Sequence, residues 1–162
     1  MKQVTVIAAS DGKNMVLAKK FETQLKELGA QVKLVDLVSL DLPLYTSKAT
    51  QKGADLLAPL KDELSAQAFV FVGPEFNGGI PPALTNFFSW ASTSSKDWRQ
   101  HFNAKKAALA THSGGEGALF LAALRLQLGY IGLTVVGRQL SVNDRKEIDP
   151  KSVADICHQL LS

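Results

Sequence analysis

The sequence has a single cysteine, Cys157, among 162 residues, and this excludes a fold held together by disulfide bonds. We expect a reducing cytoplasm as its location and a buried, inert thiol, because Cys157 lies at an apolar position of a helical pattern. The three histidines, His101, His112 and His158, are far apart and unsupported by further cysteines. The sequence therefore predicts no metal site.

Long apolar runs and blocks of one charge are missing as well. No stretch approaches the ~20 apolar residues of a membrane-spanning helix, and the first residues lack the layout of a signal peptide. The 18 Lys and Arg residues against 15 Asp and Glu give a net charge of +3, and the basic residues are scattered. We therefore expect neither a membrane nor a nucleic acid among the partners.

Short apolar runs alternate with helical patterns along the whole chain. Five runs have the length and the apolar composition of buried strands, and they cover residues 4–9, 32–37, 69–72, 106–111 and 134–136. Residues 38–53 and 137–149 are predicted to be loops. Leu57, Leu60 and Leu64 recur at helical spacing and predict one helix with Pro59 in its first turn. The last helix is predicted to start with Asp149 as N-cap and Pro150 at its first position.

Five strands alternating with five helices predict an α/β fold whose parallel sheet is covered on both faces. With right-handed crossovers, this element count favours a flavodoxin-like three-layer sandwich of strand order 2-1-3-4-5, formed as one domain over residues 1–162. Ligands of such sheets bind beyond the carboxyl ends of the strands, at the switch between strands one and three. The glycine-bearing loops after strands one, three and four all fall at this place.

Loop one, residues 10–14, follows the first strand and enters a helix. Free amides and the helix dipole make such a helix start a natural seat for a phosphate. Lys13 adds a positive charge there, whereas Asp11 opposes an anion unless it is turned away. The alternative is an ordinary turn in which Asn14 is only an N-cap. The candidate phosphate ligands are Ser10, Gly12, Lys13, Asn14 and Met15.

Loop three, residues 73–80, connects the third strand to a helix opened by Pro81 and Pro82. Its polar side chains and bare amides suit the ring edge and the hydroxyls of a nucleotide-like ligand. As an alternative, Asn77 and Gly78 form a simple turn and Glu75 is a solvated charge. The candidate ligands of this loop are Pro74, Glu75, Phe76, Asn77 and Gly78.

Loop four, residues 111–117, can approach a flat ring closely because Gly114 and Gly115 lack side chains. His112 invites an acid–base role, but a lone histidine after a strand is more often structural. The sequence offers no pair of nucleophile and base, so a bound cofactor is expected to carry the chemistry. The candidate ligands of this loop are Thr111, Ser113, Gly114 and Gly115.

Residues 73–90 resemble the signature of the NADPH-dependent FMN reductases, a family of flavodoxin-like fold that includes bacterial quinone, chromate and azo-dye reductases. That signature usually reads Pro-Glu-Tyr-Asn-x-Ser-x-Pro and is followed by a helix with a terminal tryptophan, here Trp90. Ser10, Asn14 and Leu17 are similar to the family's phosphate loop. Residues 113–117 look like its flavin-ring loop, and residues 41–45 are similar to its Asp-Leu-Pro-x-Tyr segment.

The resemblance implies FMN as cofactor and NADPH or NADH as reductant. Hydride is expected to pass from the nicotinamide to the flavin, and electrons from there to a quinone or a similar small-molecule acceptor. Ser10 and Asn14 are implied at the phosphate, residues 74–77 along the ribityl chain and ring, and residues 113–115 near the ring edge. Loop one departs from the family, because it lacks the usual arginine and has Ala9 for glycine and Gly12 for serine.

Two other functions and the oligomeric state stay open. A one-electron flavodoxin-type carrier usually needs a strongly acidic docking face, which a net charge of +3 disfavours. A non-enzymatic sensor or interaction protein with weak FMN binding fits the altered loop one. The helix over residues 118–128 is apolar on nearly every side and predicts a homodimer or, as the family implies, a homotetramer. The alternative is a monomer in which this helix is simply well buried.

Overall fold

In the computed structural model, which describes residues 1–162, six β-strands form one parallel sheet. The strands are β1 (Gln3–Ala8), β2 (Gln31–Asp36), β3 (Ala68–Val72), β4 (Lys106–His112), β5 (Thr134–Val135) and β6 (Leu140–Val142). Their order is β2-β1-β3-β4-β5, and β6 also pairs with β4. The predicted flavodoxin-like order is confirmed.

Helices cover both faces of the sheet. They are α1 (Gly12–Glu27), α2 (Leu37–Leu40), α3 (Gly53–Leu57), α4 (Lys61–Leu64), α5 (Pro82–Ser92), α6 (Ala118–Tyr130) and α7 (Pro150–Leu161). Along β3, Phe69 and Phe71 enter the core beneath α5 and α6, whereas Val70 and Val72 enter the core beneath α1 and α7. Burial on both faces explains why β3 is an unbroken apolar run. None of these helices combines the length and the apolar composition that crossing a membrane requires.

The prediction of a loop over residues 137–149 was wrong in part, because β6 lies within it. β5 pairs with Lys106 and Ala107, and β6 pairs further along the same strand with residues 110–112. Two short strands therefore follow one another along one edge of the sheet. Between β5 and β6, the guanidinium of Arg125 donates a hydrogen bond to the carbonyl oxygen of Val136 at 3.0 Å and fixes the segment that connects the two strands. β6 was not predicted because it has only three residues, with polar residues on both sides, and so gives little apolar pattern in the sequence.

The segment between β2 and β3 also differs from its prediction. The predicted loop starting at Val38 begins instead with α2, whose N-cap Asp36 accepts hydrogen bonds from the amides of Val38 and Ser39. A hydrogen bond from the Ser39 hydroxyl lowers the pKa of Asp36. Pro59 lies in a 3₁₀ turn, Ala58–Leu60, between α3 and α4. Because proline lacks the amide that a continuing helix needs, it divides the predicted helix in two.

Candidate functional site

The loops after β1, β3 and β4 meet at the carboxyl edge of the sheet. The amide of Ala9 donates to the carbonyl oxygen of Val72 at 2.8 Å, and the amide of Gly73 donates to that of Ala110 at 3.3 Å. A Cβ atom on Gly73 would lie 3.0 Å from the Cβ of Ala9. The residue before loop one therefore packs directly against the first residue of loop three, and the missing side chain of Gly73 permits this contact.

Loop one leaves the start of α1 open. Asp11 occupies the N-cap position but makes no capping bond with its side chain. The first amides of the helix, those of Gly12, Lys13 and Asn14, find no backbone acceptor. Gly12 has a φ of +60°, and no atom lies within 4 Å of the position that a Cβ would take. The loop thus presents free amide donors at the positive end of the helix dipole.

The side chain of Asn14 joins loop one to loop four. Its Nδ2 donates to the carbonyl oxygen of His112 at 2.9 Å, and its Oδ1 accepts from the amide of His112 at 2.9 Å. Asn14 is buried and is not the N-cap, a position that Asp11 takes, so the alternative interpretation of Asn14 was wrong. Its side chain is therefore already bonded, whereas its backbone amide has no backbone acceptor. Met15 is half-buried and packs against the core beneath α1.

Loop three is a tight hairpin at the rim of the site. Phe76 and Gly79 exchange two backbone hydrogen bonds of 3.0 Å. Asn77 and Gly78, between them, have φ values of +49° and +73°, the left-handed conformation that a type I′ turn requires at both positions. The Phe76 side chain is 53% exposed. The hairpin therefore carries polar main-chain groups and one apolar ring to the protein surface.

Glu75 closes the start of α6, so it is not the solvated charge of the alternative interpretation. Its Oε2 accepts hydrogen bonds from the amides of Leu119 at 2.9 Å and Phe120 at 3.2 Å. Its own amide donates to the Oγ of Ser113 at 2.7 Å. A carboxylate at this position satisfies two helix amides and complements the helix dipole. Glu75 thereby fixes loop three to loop four and to α6.

The predicted ligands of loop four divide into two groups. Thr111 and Ser113 are buried, and their hydroxyls lie 2.8 Å apart. Gly114 and Gly115 are exposed, with no atom within 4 Å of either added Cβ. Gly117 has a φ of +63°, and an added Cβ would lie 2.6 Å from the Cγ2 of Thr111. The inner part of the loop is therefore a packed wall, while its two glycines form an open surface.

Sequence reasoning missed a turn after β6 that contacts two of the loops. Asn143 and Lys146 exchange backbone hydrogen bonds of 3.1 Å, and the Nδ2 of Asn143 donates to the carbonyl oxygen of Gly115 at 3.3 Å. Asp144 forms an ion pair with Lys13, and its Oδ1 lies 3.4 Å from the Nε2 of His112. The hydrogen bond from Lys13 lowers the pKa of Asp144. A turn at these residues could be predicted from Asn143 and Asp144, but its contacts could not.

A cavity of about 390 Å³ lies between this turn and α1. Lys13 and Val16 of α1 form one side of it, and His112, Asp144 and Lys146 contribute to the other. The imidazole of His112 therefore faces the 143–146 turn and α1, which supports the structural interpretation of this histidine.

A family model of NADPH-dependent FMN reductases matches residues 2–147. The chain belongs to this family. It is an oxidoreductase that uses FMN, with NAD(P)H as the reductant. The match covers every strand and every helix except α7. No curated protein matches the sequence.

Solved structures of flavoproteins share the fold. FerB of Paracoccus denitrificans, a flavoenzyme NAD(P)H:(acceptor) oxidoreductase, is 26% identical over 85% of this chain and 76% of its own, with a TM-score of 0.71. The apo form of the NADH:FMN oxidoreductase EmoB is 18% identical, covers 99% of this chain and 89% of its own, and has a TM-score of 0.75. A flavodoxin from the domain Archaea is 15% identical over the whole of both chains, with a TM-score of 0.67. The last two likenesses show the fold alone.

Proposed function

We propose that the protein passes electrons from NAD(P)H to a quinone or a similar small acceptor, and that FMN binds where loops one, three and four meet. The observation that carries this proposal is the open start of α1 beside the open glycines of loop four, at one edge of the sheet. Neither region is filled by the chain's own side chains. In this arrangement residues 1–162 act as one FMN-binding domain.

The phosphate of FMN is assigned to loop one. The amides of Gly12, Lys13 and Asn14 lack backbone acceptors, and an anion at a helix start is stabilised by both the amides and the dipole. The Ser10 hydroxyl has only a weak contact, 3.4 Å from the carbonyl oxygen of Asp11, and is free to donate to a phosphate oxygen. Met15 supports the loop from the core side.

The ribityl chain and the ring are assigned to loops three and four. Pro74, Phe76, Asn77 and Gly78 border the edge of the sheet, and Gly114 and Gly115 offer a surface without side chains. The three remaining candidates do not contact the flavin in this arrangement but support the two loops. Glu75, Thr111 and Ser113 are connected by hydrogen bonds and hold the two loops at a fixed separation. We therefore assign them a positioning role, since the Oε2 of Glu75 caps α6 and the two hydroxyls bond to each other.

FMN, when bound, accepts hydride from the nicotinamide and releases electrons to the acceptor. The chain contributes binding and orientation: loop one fixes the phosphate, and the exposed amides of loops three and four are placed to contact the ring. No side-chain acid or base is assigned, because the Glu75 carboxylate caps α6 and His112 faces Asp144. The exposed ring of Phe76 provides an apolar edge on which a flat acceptor can stack.

The test measures flavin binding and turnover separately. Purified protein is titrated with FMN and riboflavin while the quenching of flavin fluorescence is followed. NADPH and NADH oxidation is then measured with FMN and with benzoquinone. We expect FMN to bind about tenfold more tightly than riboflavin, because the phosphate gains charge-assisted hydrogen bonds. Absence of both flavin binding and NAD(P)H oxidation contradicts the proposal, and a stable semiquinone on stepwise reduction favours a one-electron carrier.

The exposed side of α6 supports a homodimer as the working form. Leu119, Leu126 and Tyr130 are 60%, 76% and 77% exposed along this helix. The Arg99 guanidinium lies 5.4 Å from the centre of the Tyr130 ring, so the C-terminal end of the stripe is positive. Glu116, exposed at the other end, is negative. Antiparallel packing of two α6 helices places each Arg99 opposite a Glu116 of the second copy, whereas parallel packing places like charges together.

The oligomeric state tests this face directly. Leu126→Glu is expected to convert a dimer to a monomer in light scattering, and Leu44→Glu is the matched control because Leu44 is 77% exposed on another part of the surface. Arg99→Glu is expected to weaken the dimer, and adding Glu116→Arg is expected to restore it. A wild-type monomer, or a dimer that Leu126→Glu leaves intact, contradicts the proposed face.

A further inference from the structure

The cation of loop one is already paired with a carboxylate from a distant part of the chain. The Nζ of Lys13 lies 2.5 Å from the Oδ1 of Asp144, which is 131 residues further along the sequence. Asp144 sits at the tip of the 143–146 turn. That turn is tied to loop four by Asn143, which donates to Gly115, and by the Ser141 hydroxyl, which donates to the carbonyl oxygen of Glu116 at 2.5 Å. The position of Asp144 is thus fixed relative to loop four.

We propose that Asp144 competes with the phosphate of FMN for Lys13, and thereby sets how strongly the site prefers FMN over riboflavin. The inference rests on the proposed function, because it needs the phosphate at the start of α1. In this arrangement the flavin phosphate binds to the free amides of loop one and then draws Lys13 away from Asp144. Part of the attraction between Lys13 and the phosphate is offset by the loss of the existing ion pair.

Little free energy is needed to move the Lys13 ammonium group from Asp144 to the phosphate. The side chains of Lys13 and Asp144 are 63% and 71% exposed, and ion pairs in such a position are weak because water solvates both partners. A phosphate carries up to two negative charges, so it attracts the ammonium group more strongly than one carboxylate does. Lys13 lies in the first turn of α1, and only its flexible side chain has to move.

Asp144 keeps a second partner when Lys13 leaves. The Nε2 of His112 is 3.4 Å from the same carboxylate oxygen, and Asn14 holds the backbone of His112 by two hydrogen bonds. Two other charged residues line the cavity beside Asp144, Lys146 and Glu147, and they are of opposite sign. The carboxylate can therefore stay in place while Lys13 moves from one anion to the other.

The experiment compares two ligands that differ only in the phosphate. Dissociation constants for FMN and riboflavin are measured by fluorescence quenching, at low ionic strength, for the wild type, Asp144→Asn, Lys13→Gln and the double variant. We expect Asp144→Asn to tighten FMN binding about threefold and to leave riboflavin binding unchanged, since an exposed ion pair is worth a factor of this order. Lys13→Gln is expected to weaken FMN binding and to abolish the effect of Asp144→Asn.

Asp155→Asn is the matched control, because it removes the same charge from an exposed pair that Asp155 forms with Arg138. It should leave the affinity for both flavins unchanged. The inference is overturned if Asp144→Asn leaves FMN affinity unaltered or weakens it, or if it tightens riboflavin binding equally. Suppose that the wild type binds FMN more tightly than riboflavin and oxidises NAD(P)H, yet Asp144→Asn does not change the FMN affinity. The inference then fails while the proposed function stands. If no variant binds FMN, both fail together.

Discussion

Loop one and loop four contain glycines with nearly the same backbone conformation in very different surroundings. Gly12 has a φ of +60° and Gly117 a φ of +63°. A Cβ on Gly12 would meet no atom within 4 Å, whereas a Cβ on Gly117 would lie 2.6 Å from Thr111. The same left-handed conformation thus occurs at an open surface in loop one, whereas in loop four it lets the backbone approach the Thr111 side chain closely. The difference indicates that the end of loop four at Gly117 is packed against Thr111, whereas loop one is open at Gly12.

The two helices that start at the site differ in the same way. At α6, two amides are bound by the Glu75 carboxylate. At α1, the N-cap Asp11 makes no side-chain bond, and the first amides lack backbone acceptors. An anion is stabilised at either helix start, and at α6 the chain supplies its own carboxylate. This contrast supports our proposal that the phosphate binds at α1.

The largest expected effect comes from replacing the two glycines. Gly117→Ala should lower the free energy of unfolding by about 3 kcal/mol or more, because left-handed strain adds to a clash with buried Thr111. Gly12→Ala should cost only about 1 kcal/mol, because the strain is similar but the space is empty. Urea denaturation measures both. Equal losses would contradict the contrast between a packed and an open loop, and Gly115→Ala, with no positive φ, should cost less than either.

The next prediction compares two asparagine variants that should lose similar stability but differ in FMN binding. Asn14→Ala removes two hydrogen bonds to the His112 backbone, and we expect it to cost about 2 kcal/mol. Asn86 is a matched control, because its side chain accepts from Tyr45 at 2.8 Å and donates to Pro43 at 3.0 Å, on the α5 side of the molecule. Asn86→Ala should cost a similar amount in urea denaturation. Only Asn14→Ala should weaken FMN binding, and equal flavin affinity in both variants would remove Asn14 from the site.

The sheet could be predicted because burial on both faces leaves a local pattern. Each central strand, such as β3, is a continuous apolar run between polar turns, and the alternation with helices limits the topology. β6 lacked such a pattern, because it has three residues and one of them is Ser141. The prediction that Pro59 lies in the first turn of a helix was wrong, because α3 precedes it and Pro59 lies in the 3₁₀ turn between α3 and α4. The apolar spacing that begins at Leu57 gave no sign of a helix over residues 53–57.

The site could be predicted only to the level of loops. The meeting of loops one, three and four follows from strand order. The direction of each side chain depends on contacts between distant residues, as when Glu75 reaches the amide of Leu119. The same limit applies to Lys13 and Asp144, which no local pattern relates. A turn residue, a cap and a ligand share the same residue types, so the sequence could not distinguish Glu75 as a cap from Glu75 as a ligand.

The smallest effect tests the two carboxylates at the two helix starts. Glu75→Ala leaves two amides of α6 without an acceptor and should lower the free energy of unfolding by about 1 kcal/mol, and Glu75→Gln, which keeps an acceptor oxygen, by about half of that. Asp11→Ala should leave stability nearly unchanged in urea denaturation, because Asp11 makes no capping bond to lose. A loss at Asp11 as large as that at Glu75 would mean that α1 is capped in solution. Its amides would then be occupied, and a phosphate would have to displace the carboxylate of Asp11 before it could bind.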